Sequence, residues 1–213
     1  MALLREFCAE NVERVPAAIE AGARRIELCD NLAVGGTTPS HGVIRAAVEY
    51  ARPRGADVMV MIRPRGGDFE YSDAERAIML DDLAVARELG PTGVVFGCTR
   101  DGRLDRKLTA ELLEAAGDLQ VTFHMAFDAI DESEQLEAID WLAEHGATRI
   151  LTHGGAAGTA IEDNLDRLRA YVERAAGRIA ILPGAGVTWR NAESVADALG
   201  VAEVHGTKIV RLD

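Results

Sequence analysis

Short apolar runs alternate along the chain with longer segments in which apolar residues recur every three or four positions. A helical pattern repeatedly ends in glycine, a few residues follow, and an apolar run begins, as where 18–22 lead into 25–29. Short apolar runs predict buried strands, and the longer periodic segments predict amphipathic helices. The predicted strands lie near 3–8, 24–29, 58–63, 93–98, 121–127, 149–153, 179–185 and 201–209. The predicted helices lie near 11–21, 40–51, 72–89, 108–116, 131–145, 161–175 and 189–199.

Strands that alternate with helices pair in parallel through right-handed crossovers. Eight such units predict a single α/β domain over residues 1–213, a (β/α)8 TIM barrel rather than an open doubly wound sheet. An open dinucleotide-binding sheet would carry G-x-G-x-x-G after its first strand, and residues 9–11 (AEN) offer nothing of this kind. The chain ends shortly after the eighth strand, so we expect the eighth helix to be missing or truncated. The resulting uncovered seam predicts a homo-oligomer.

Helix starts carry recognisable caps. Ser72-x-x-Glu75 and Thr159-x-x-Glu162 predict capping boxes, and Asp131 and Thr188 predict single caps. The loops from strand to helix are longer than those from helix to strand. In a TIM barrel the longer set lies at the C-terminal ends of the strands, where active sites are found, so function is expected there.

Composition narrows the class of partner. The net charge is −12 at 48% apolar and 27% charged residues. Nucleic acids and anionic membranes both need a basic footprint, so neither is expected as a partner. No apolar stretch approaches the length of a membrane span, and the N-terminal residues do not resemble a signal peptide. Three widely spaced cysteines without a CxxC predict reduced thiols and a cytoplasmic location.

Polar residues recur at alternate positions near the ends of the predicted strands. Inward-facing charged groups need partners, so their convergence predicts one pocket at the C-terminal face. The candidates for catalysis in that pocket are Glu27, Arg63, His124, Asp128 and His205, with Glu6 beside them. The alternative is structural: Glu27 and Arg63 on adjacent strands would form an ion pair inside the barrel.

Three stretches predict an anion site. Arg63 and Arg65 in the motif RPRGGD sit where the third strand must stop, and a guanidinium presents a planar fork to carboxylate or phosphate. Gly184 and Gly186 follow the seventh strand, the region where TIM barrels bind phosphate through backbone N–H groups and a helix N-terminus. Gly206 and Thr207 end the eighth strand and complete the candidate set. The alternatives are structural ion pairs for the arginines and tight turns for the glycines.

The cysteines admit two interpretations. Cys8 and Cys29 end neighbouring predicted strands, so their sulfurs are expected to approach each other. Soft thiolates favour Cu(I) and zinc, and histidine can complete such a site. Alternatively, the thiols are core residues, as Cys98 is expected to be.

Several motifs resemble those of the CutC family, the copper homeostasis proteins. They are RIELC at 25–29, GGTTPS at 35–40, IRPRGGDF at 62–69, VTFH at 121–124 with AFD at 126–128, GAGV at 184–187 and EVH at 203–205. The similarity covers residues 3 to about 209, and IRPRGGDF and TFHxAFD are its most specific parts. Many members carry arginine where this chain has Met125, and longer members continue past the eighth strand, so the chain resembles a short form.

The resemblance implies a TIM barrel in the cytoplasm that binds Cu(I), with Cys8, Cys29 and His124 as the metal ligands. The pocket residues suggest a different function, an enzyme acting on a small anionic or phosphorylated metabolite. In that hypothesis Arg63, Arg65 and the glycines hold the anion, and Glu27, His124 and Asp128 supply acid and base. A barrel that binds a ligand without catalysis is the third alternative.

Overall fold

The computed structural model describes residues 2–156 and 158–212. Met1, Ala157 and Asp213, which belong to the predicted domain of 1–213, lie outside the described residues. Among the residues described, no helix is long and apolar enough to cross a membrane.

Eight parallel strands form a nearly closed barrel, as predicted. The strands are β1 Leu4–Glu10, β2 Arg25–Cys29, β3 Asp57–Met61, β4 Gly93–Phe96, β5 Gln120–Phe123, β6 Arg149–Thr152, β7 Ala180–Pro183 and β8 Glu203–Gly206. Their spatial order is β8-β1-β2-β3-β4-β5-β6-β7. Past the ends of β7 and β8, Thr188 and Lys208 pair in a parallel bridge that narrows the remaining gap.

Helices connect the strands and cover the outside of the barrel. The longest helix buries Met79, Leu83 and Ala86, an i, i+4, i+7 stripe that packs on the sheet. Within the described range, no helix follows β8, and Ile209 and Val210 enter the core there instead. The helices are α1 Val15–Glu20, α2 His41–Ala51, α3 Asp73–Leu89, α4 Arg106–Ala116, α5 Glu132–Glu144, α6 Leu165–Ala175 and α7 Ala192–Leu199.

Alternate strand residues face opposite sides, and this separates the apolar core from the polar interior. Phe7, Ile26, Val60, Phe96 and Phe123 are buried in the main apolar core. The opposite parity on β1, β2 and β8 carries Glu6, Cys8, Arg25, Glu27, Glu203 and His205.

The fifth strand is shorter than predicted. It ends at Phe123, and a 3-10 turn, Met125–Ala129, replaces the predicted extension to residue 127. The cause is local, because the His124 side chain caps this turn by accepting a hydrogen bond from the Ala126 N–H at 3.1 Å. The predicted strand is therefore wrong beyond Phe123, and His124 and Asp128 do not lie on one strand face.

The predicted helix starts divide into two groups. The Ser72 capping box is confirmed, with Glu75 N–H donating to Ser72 Oγ at 3.3 Å and Ser72 N–H donating to Glu75 at 2.8 Å. The Thr159 box is wrong: a 3-10 turn, Ile161–Asn164, precedes α6, and the Thr159 hydroxyl donates to Ala156 O.

Two single caps also differ from expectation. Asp131 does precede α5, but its side chain makes no capping hydrogen bond. The last helix begins at Ala192 rather than 189, because Asn191 Oδ1 accepts the Thr188 N–H at 2.7 Å and holds residues 188–191 in a turn. The predicted homo-oligomer stays a prediction, and light scattering that finds a dilute monomer would count against it.

Candidate functional site

A cavity of about 460 Å³ opens at the C-terminal ends of the strands. This volume is within the usual range of small-molecule sites, about 300–1,000 Å³. Of the residues predicted from sequence, Cys8, Glu27, Arg63, His124, Gly186, His205, Gly206 and Thr207 line it. The structure places Cys29, Arg65, Asp128 and Gly184 outside the lining.

A line of buried ionisable groups runs from the barrel interior to the cavity floor. His205 Nδ1 lies 2.7 Å from Glu6 Oε1, and His205 Nε2 lies 3.7 Å from Glu27 Oε2. Glu6 also pairs with Arg25, which reaches Glu203 at 2.5 Å. Glu6 is therefore beneath the cavity floor, where it fixes the His205 ring by a carboxylate contact.

Burial and charge set the protonation of this line. Burial raises the pKa of Glu6, but Arg25 and His205 outweigh it and hold that pKa at about 2. Burial alone would lower the pKa of His205, yet the Glu27 carboxylate, Cys8 and Glu6 keep it well above its usual value. Burial raises the pKa of Glu27. Glu6 is therefore ionised and lies under a protonated His205 ring. The neighbouring Glu27 carboxyl holds its proton more readily than usual.

Two thiols lie beside this line. Cys8 and Cys29 are buried and free, and they share an interior cluster with Met59 and Met61. A hydrogen bond with Cys29, together with burial, raises the pKa of Cys8 well above its usual value. The expected approach of the two thiols is therefore present.

One group of residues is close enough to hold a metal ion. One ligand atom each from Cys8, Glu27 and His205 lies within 4.8 Å of the others, and all three residues are buried. The Cys29 sulfur is 3.7 Å from Glu27 Oε2, at the edge of the group. Among the described residues, His124 does not join it.

His124 instead forms a wall of the cavity as a neutral donor. Burial and the nearby Arg63 lower the pKa of His124 to about 3. Its Nδ1 accepts the Ala126 N–H, so the ring proton lies on Nε2. That Nε2 is buried and has no partner among the described residues. The ring packs against Phe69, with the two ring centroids 4.9 Å apart.

Arg63 and Arg65 have separate surroundings. Arg63 is 3% exposed and donates to the carbonyl oxygens of Val34, Gly36 and Gly67 at 2.8–3.0 Å. Its Nε is buried without a partner among the described residues. The predicted Glu27–Arg63 ion pair is absent from the ion pairs of the described chain.

Arg65 turns away and ties down its own loop. It pairs with Glu75 at 2.5 Å and with Asp68 at 2.9 Å. The two arginines therefore do not form one anion clamp, and Arg65 follows the structural alternative.

Asp128 organises the loop after β6. It accepts hydrogen bonds from Thr152 Oγ1 and from the His153 N–H, the latter at 2.9 Å, and burial raises its pKa. Nearby, His153 Nε2 contacts Thr159 and Asn164 at about 3 Å. These contacts place Asp128 and His153 in support of the loop, outside the cavity lining.

The glycines at the ends of β7 and β8 differ in role. A Cβ on Gly184 would lie 2.6 Å from Leu151, and one on Gly206 would lie 2.4 Å from Val187 O, so both positions require close packing. Gly186, at φ 118°, lines the cavity next to Ala185. The predicted helix N-terminus is not at this turn, since α7 begins at Ala192.

Sequence reasoning missed three contributors. Lys208 lines the cavity directly after Thr207, and Arg25 lies two positions before Glu27 on β2. Phe69, the last residue of the RPRGGDF motif, packs on His124. The alternation of residues along β2 could have identified Arg25, because it lies on the same strand face as Glu27. Phe69 reaches the cavity from a loop, and hydrophobic periodicity does not predict the path of a loop.

The fold and the site define a (β/α)8 barrel in which a buried group of thiol, imidazole and carboxylate lines a cavity at the C-terminal face. Residues 3–210 match the model of the CutC family. The chain belongs to the CutC family.

Relatives in this family span bacteria and mammals. A CutC family protein from Enterococcus faecalis is 57% identical over 98% of this chain and 100% of its own length. The human copper homeostasis protein cutC homolog is 41% identical over 95% of this chain and 72% of its own. The solved structure of a CutC protein from Streptococcus agalactiae, 46% identical, superposes with a TM-score of 0.95 over 98% of this chain and 100% of that one.

More distant barrels share the fold alone. An aldolase structure that is 16% identical covers 95% of this chain and 89% of its own, with a TM-score of 0.71.

Proposed function

We propose that this protein binds Cu(I) through the thiolates of Cys8 and Cys29 and the imidazole Nε2 of His205. The observation that carries the proposal is the group of Cys8, Glu27 and His205, whose ligand atoms lie within 4.8 Å of one another beside the Cys29 thiol. His205 takes the place that the sequence assigned to His124.

The donors suit a soft cation. Thiolate and thioether sulfur select Cu(I), and Met59 and Met61 place two further sulfurs in the same interior cluster. Glu6 holds His205 Nδ1 at 2.7 Å, which leaves Nε2 to face the metal. A carboxylate behind a ligating histidine fixes its orientation and raises its basicity.

Copper binding competes with protons at this site. The pKa values of Cys8 and His205 are both held above their usual ranges, so a metal ion must displace protons from them. The apparent affinity for Cu(I) should therefore fall as the pH is lowered from 8 to 6. Because the function needs free thiols, we place the protein in the reducing cytoplasm.

The decisive experiment is a Cu(I) titration under reducing conditions against a competing chelator. Wild type should bind one ion tightly, Cys8→Ser/Cys29→Ser should lose that binding, and His205→Gln should weaken it by about ten- to a hundredfold. Cys98→Ser is the matched control, since Cys98 is equally buried but lies outside the group. Equal affinity in the double variant and the control would make the thiols core residues.

A second function, catalysis on a small anionic metabolite, is favoured by the cavity itself. Glu27, Arg63, His124 and His205 all line it, and the proposed roles are proton transfer by Glu27 and His205 and ligand binding by Arg63 and His124. Asp128 has no direct role in this scheme.

Catalysis is tested with metal-free protein and a mixture of phosphorylated metabolites in D2O. Acid–base chemistry at carbon should place deuterium in one component, which mass spectrometry detects, and Glu27→Gln should abolish the exchange. A mixture that remains unlabelled by the wild type would contradict catalysis.

A further inference from the structure

Arg63 gives the cavity a cationic wall. It is 3% exposed, its nearest polar partners are three carbonyl oxygens, and no carboxylate of the described residues pairs with it. A buried cation without a counter-ion is unfavourable unless something supplies negative charge. The uncompensated charge of Arg63 therefore favours an anion or an electron-rich oxygen in the adjoining cavity.

His124 adds a directed donor to the same wall. Its Nδ1 is occupied by the Ala126 N–H, while its buried Nε2 has no partner among the described residues. A buried donor without an acceptor is unfavourable, so a ligand that supplies the acceptor gains binding free energy. A carbonyl or hydroxyl oxygen fits this donor.

The opposite wall is suited to a phosphate group. Lys208 lines the cavity and forms no ion pair with any acid of the described chain. Beside it, Ala185 has φ 55° and Gly186 has φ 118°, and neither backbone N–H has a hydrogen-bond partner among the described residues. Consecutive N–H groups that lack protein acceptors are available to donate to an anion, and strain at a non-glycine residue is typical of functional sites.

We propose that this cavity binds a small phosphate monoester that carries a carbonyl oxygen. Its phosphate lies at Lys208 and the Ala185–Gly186 turn. Its carbonyl oxygen lies beside Arg63 and accepts a hydrogen bond from His124 Nε2–H. The proposal rests on the second function above and specifies its ligand class. The cavity volume of about 460 Å³ suits a short carbon chain between the two ends, and Met61, Phe69 and Leu151 provide apolar contact for it.

The test is calorimetric titration of metal-free protein with dihydroxyacetone phosphate, inorganic phosphate and dihydroxyacetone. Wild type should bind dihydroxyacetone phosphate at least tenfold more tightly than inorganic phosphate, because only the ester reaches both walls. Dihydroxyacetone, which lacks the phosphate, should bind at least tenfold more weakly than the ester.

Two substitutions separate the two ends. Lys208→Ala should weaken the ester and inorganic phosphate alike, by about tenfold. His124→Asn keeps an oxygen acceptor for the Ala126 N–H and removes the Nε2 donor, so it should weaken the ester and leave inorganic phosphate unchanged. Lys107→Ala, at the only other lysine, in the first turn of α4, is the matched control and should change nothing.

The outcomes are distinct. Absence of ester binding in the wild type, or equal binding of ester and inorganic phosphate, would overturn the proposal. Ester binding that is indifferent to both Lys208→Ala and His124→Asn would also overturn it. Ester binding with the expected pattern but no deuterium exchange would support the ligand site and contradict catalysis alone.

Discussion

At the scale of single residues, the charge state of His124 follows from its position. The ring is buried behind Phe69 with Arg63 nearby, and both burial and the cation lower its pKa, to about 3. The same residue exposed on a surface would titrate near pH 6.5. His124 therefore acts in the cavity as a neutral hydrogen-bond donor near pH 7, rather than as a cation.

This difference predicts how stability depends on pH. The folded pKa of His124 is lower than its unfolded value, so its contribution is present above pH 6.5 and is lost as the pH falls from 6.5 toward 3. Between pH 6.5 and pH 5 the loss should be about 2 kcal/mol. Urea unfolding at both pH values gives the change in unfolding free energy for wild type and for His124→Asn. The change in wild type minus the change in the variant is the contribution of His124. Parallel pH dependence in the two proteins would show that the pKa of His124 does not differ between the folded and unfolded states.

At the scale of helices and strands, most of the architecture is readable in the sequence. The eight strands and seven helices follow from apolar runs and amphipathic periods, because burial on one face imposes those periods. The ends of β5 and the start of α7 are not readable in this way. His124 and Asn191 each use a side chain to bond a nearby backbone N–H, and such local capping leaves no trace in hydrophobic periodicity.

The same limit applies to the candidate site. Strand parity predicted that Glu27 and His205 face one pocket, and both line the cavity, since their positions depend only on the barrel ladder. The approach of Cys8 to these two residues was not predicted. Arg63 and Arg65 could not be distinguished from the motif, because both follow the strand in one loop. Only the loop path decides that Arg63 enters the cavity and Arg65 pairs with Glu75.

The end of α6 offers a test of helix capping. Ala176 follows the helix with φ 47° and is exposed, in a conformation that glycine adopts without steric strain. Ala176→Gly should raise the free energy of unfolding by about 0.5–1 kcal/mol. Ala77→Gly, at an exposed position inside α3, is the matched control and should lower it by about 1 kcal/mol. Thermal and urea unfolding measure both, and destabilisation by Ala176→Gly would refute the capping argument.

At the scale of the whole molecule, the acidic surface and the cationic cavity wall oppose each other. The chain has 35 acidic and 23 basic residues, yet Arg63 and Lys208 both face the cavity. The proposed anion site would therefore select small ligands, because an extended polyanion meets the repulsive surface while a small anion meets only the cavity.

The protein should consequently show no affinity for nucleic acid. In a mobility-shift experiment at 50 mM salt, a 30-base-pair duplex should migrate unchanged at micromolar protein, because the net charge of −12 repels phosphates. A basic protein of similar mass serves as the positive control. A shifted complex that dissociates as salt is added would show that the protein has a basic surface that binds DNA.

The hydrogen bonds of Arg63 have a consequence for motion. Its guanidinium joins Val34 and Gly36, in the loop after β2, to Gly67, in the loop after β3, at distances of 2.8–3.0 Å. Neither loop can open without releasing the same side chain, so the two should fluctuate as one cooperative unit. In native-state hydrogen exchange, the backbone amides of both loops should then report a single free energy of opening. In Arg63→Met the two loops should open independently, each with its own free energy.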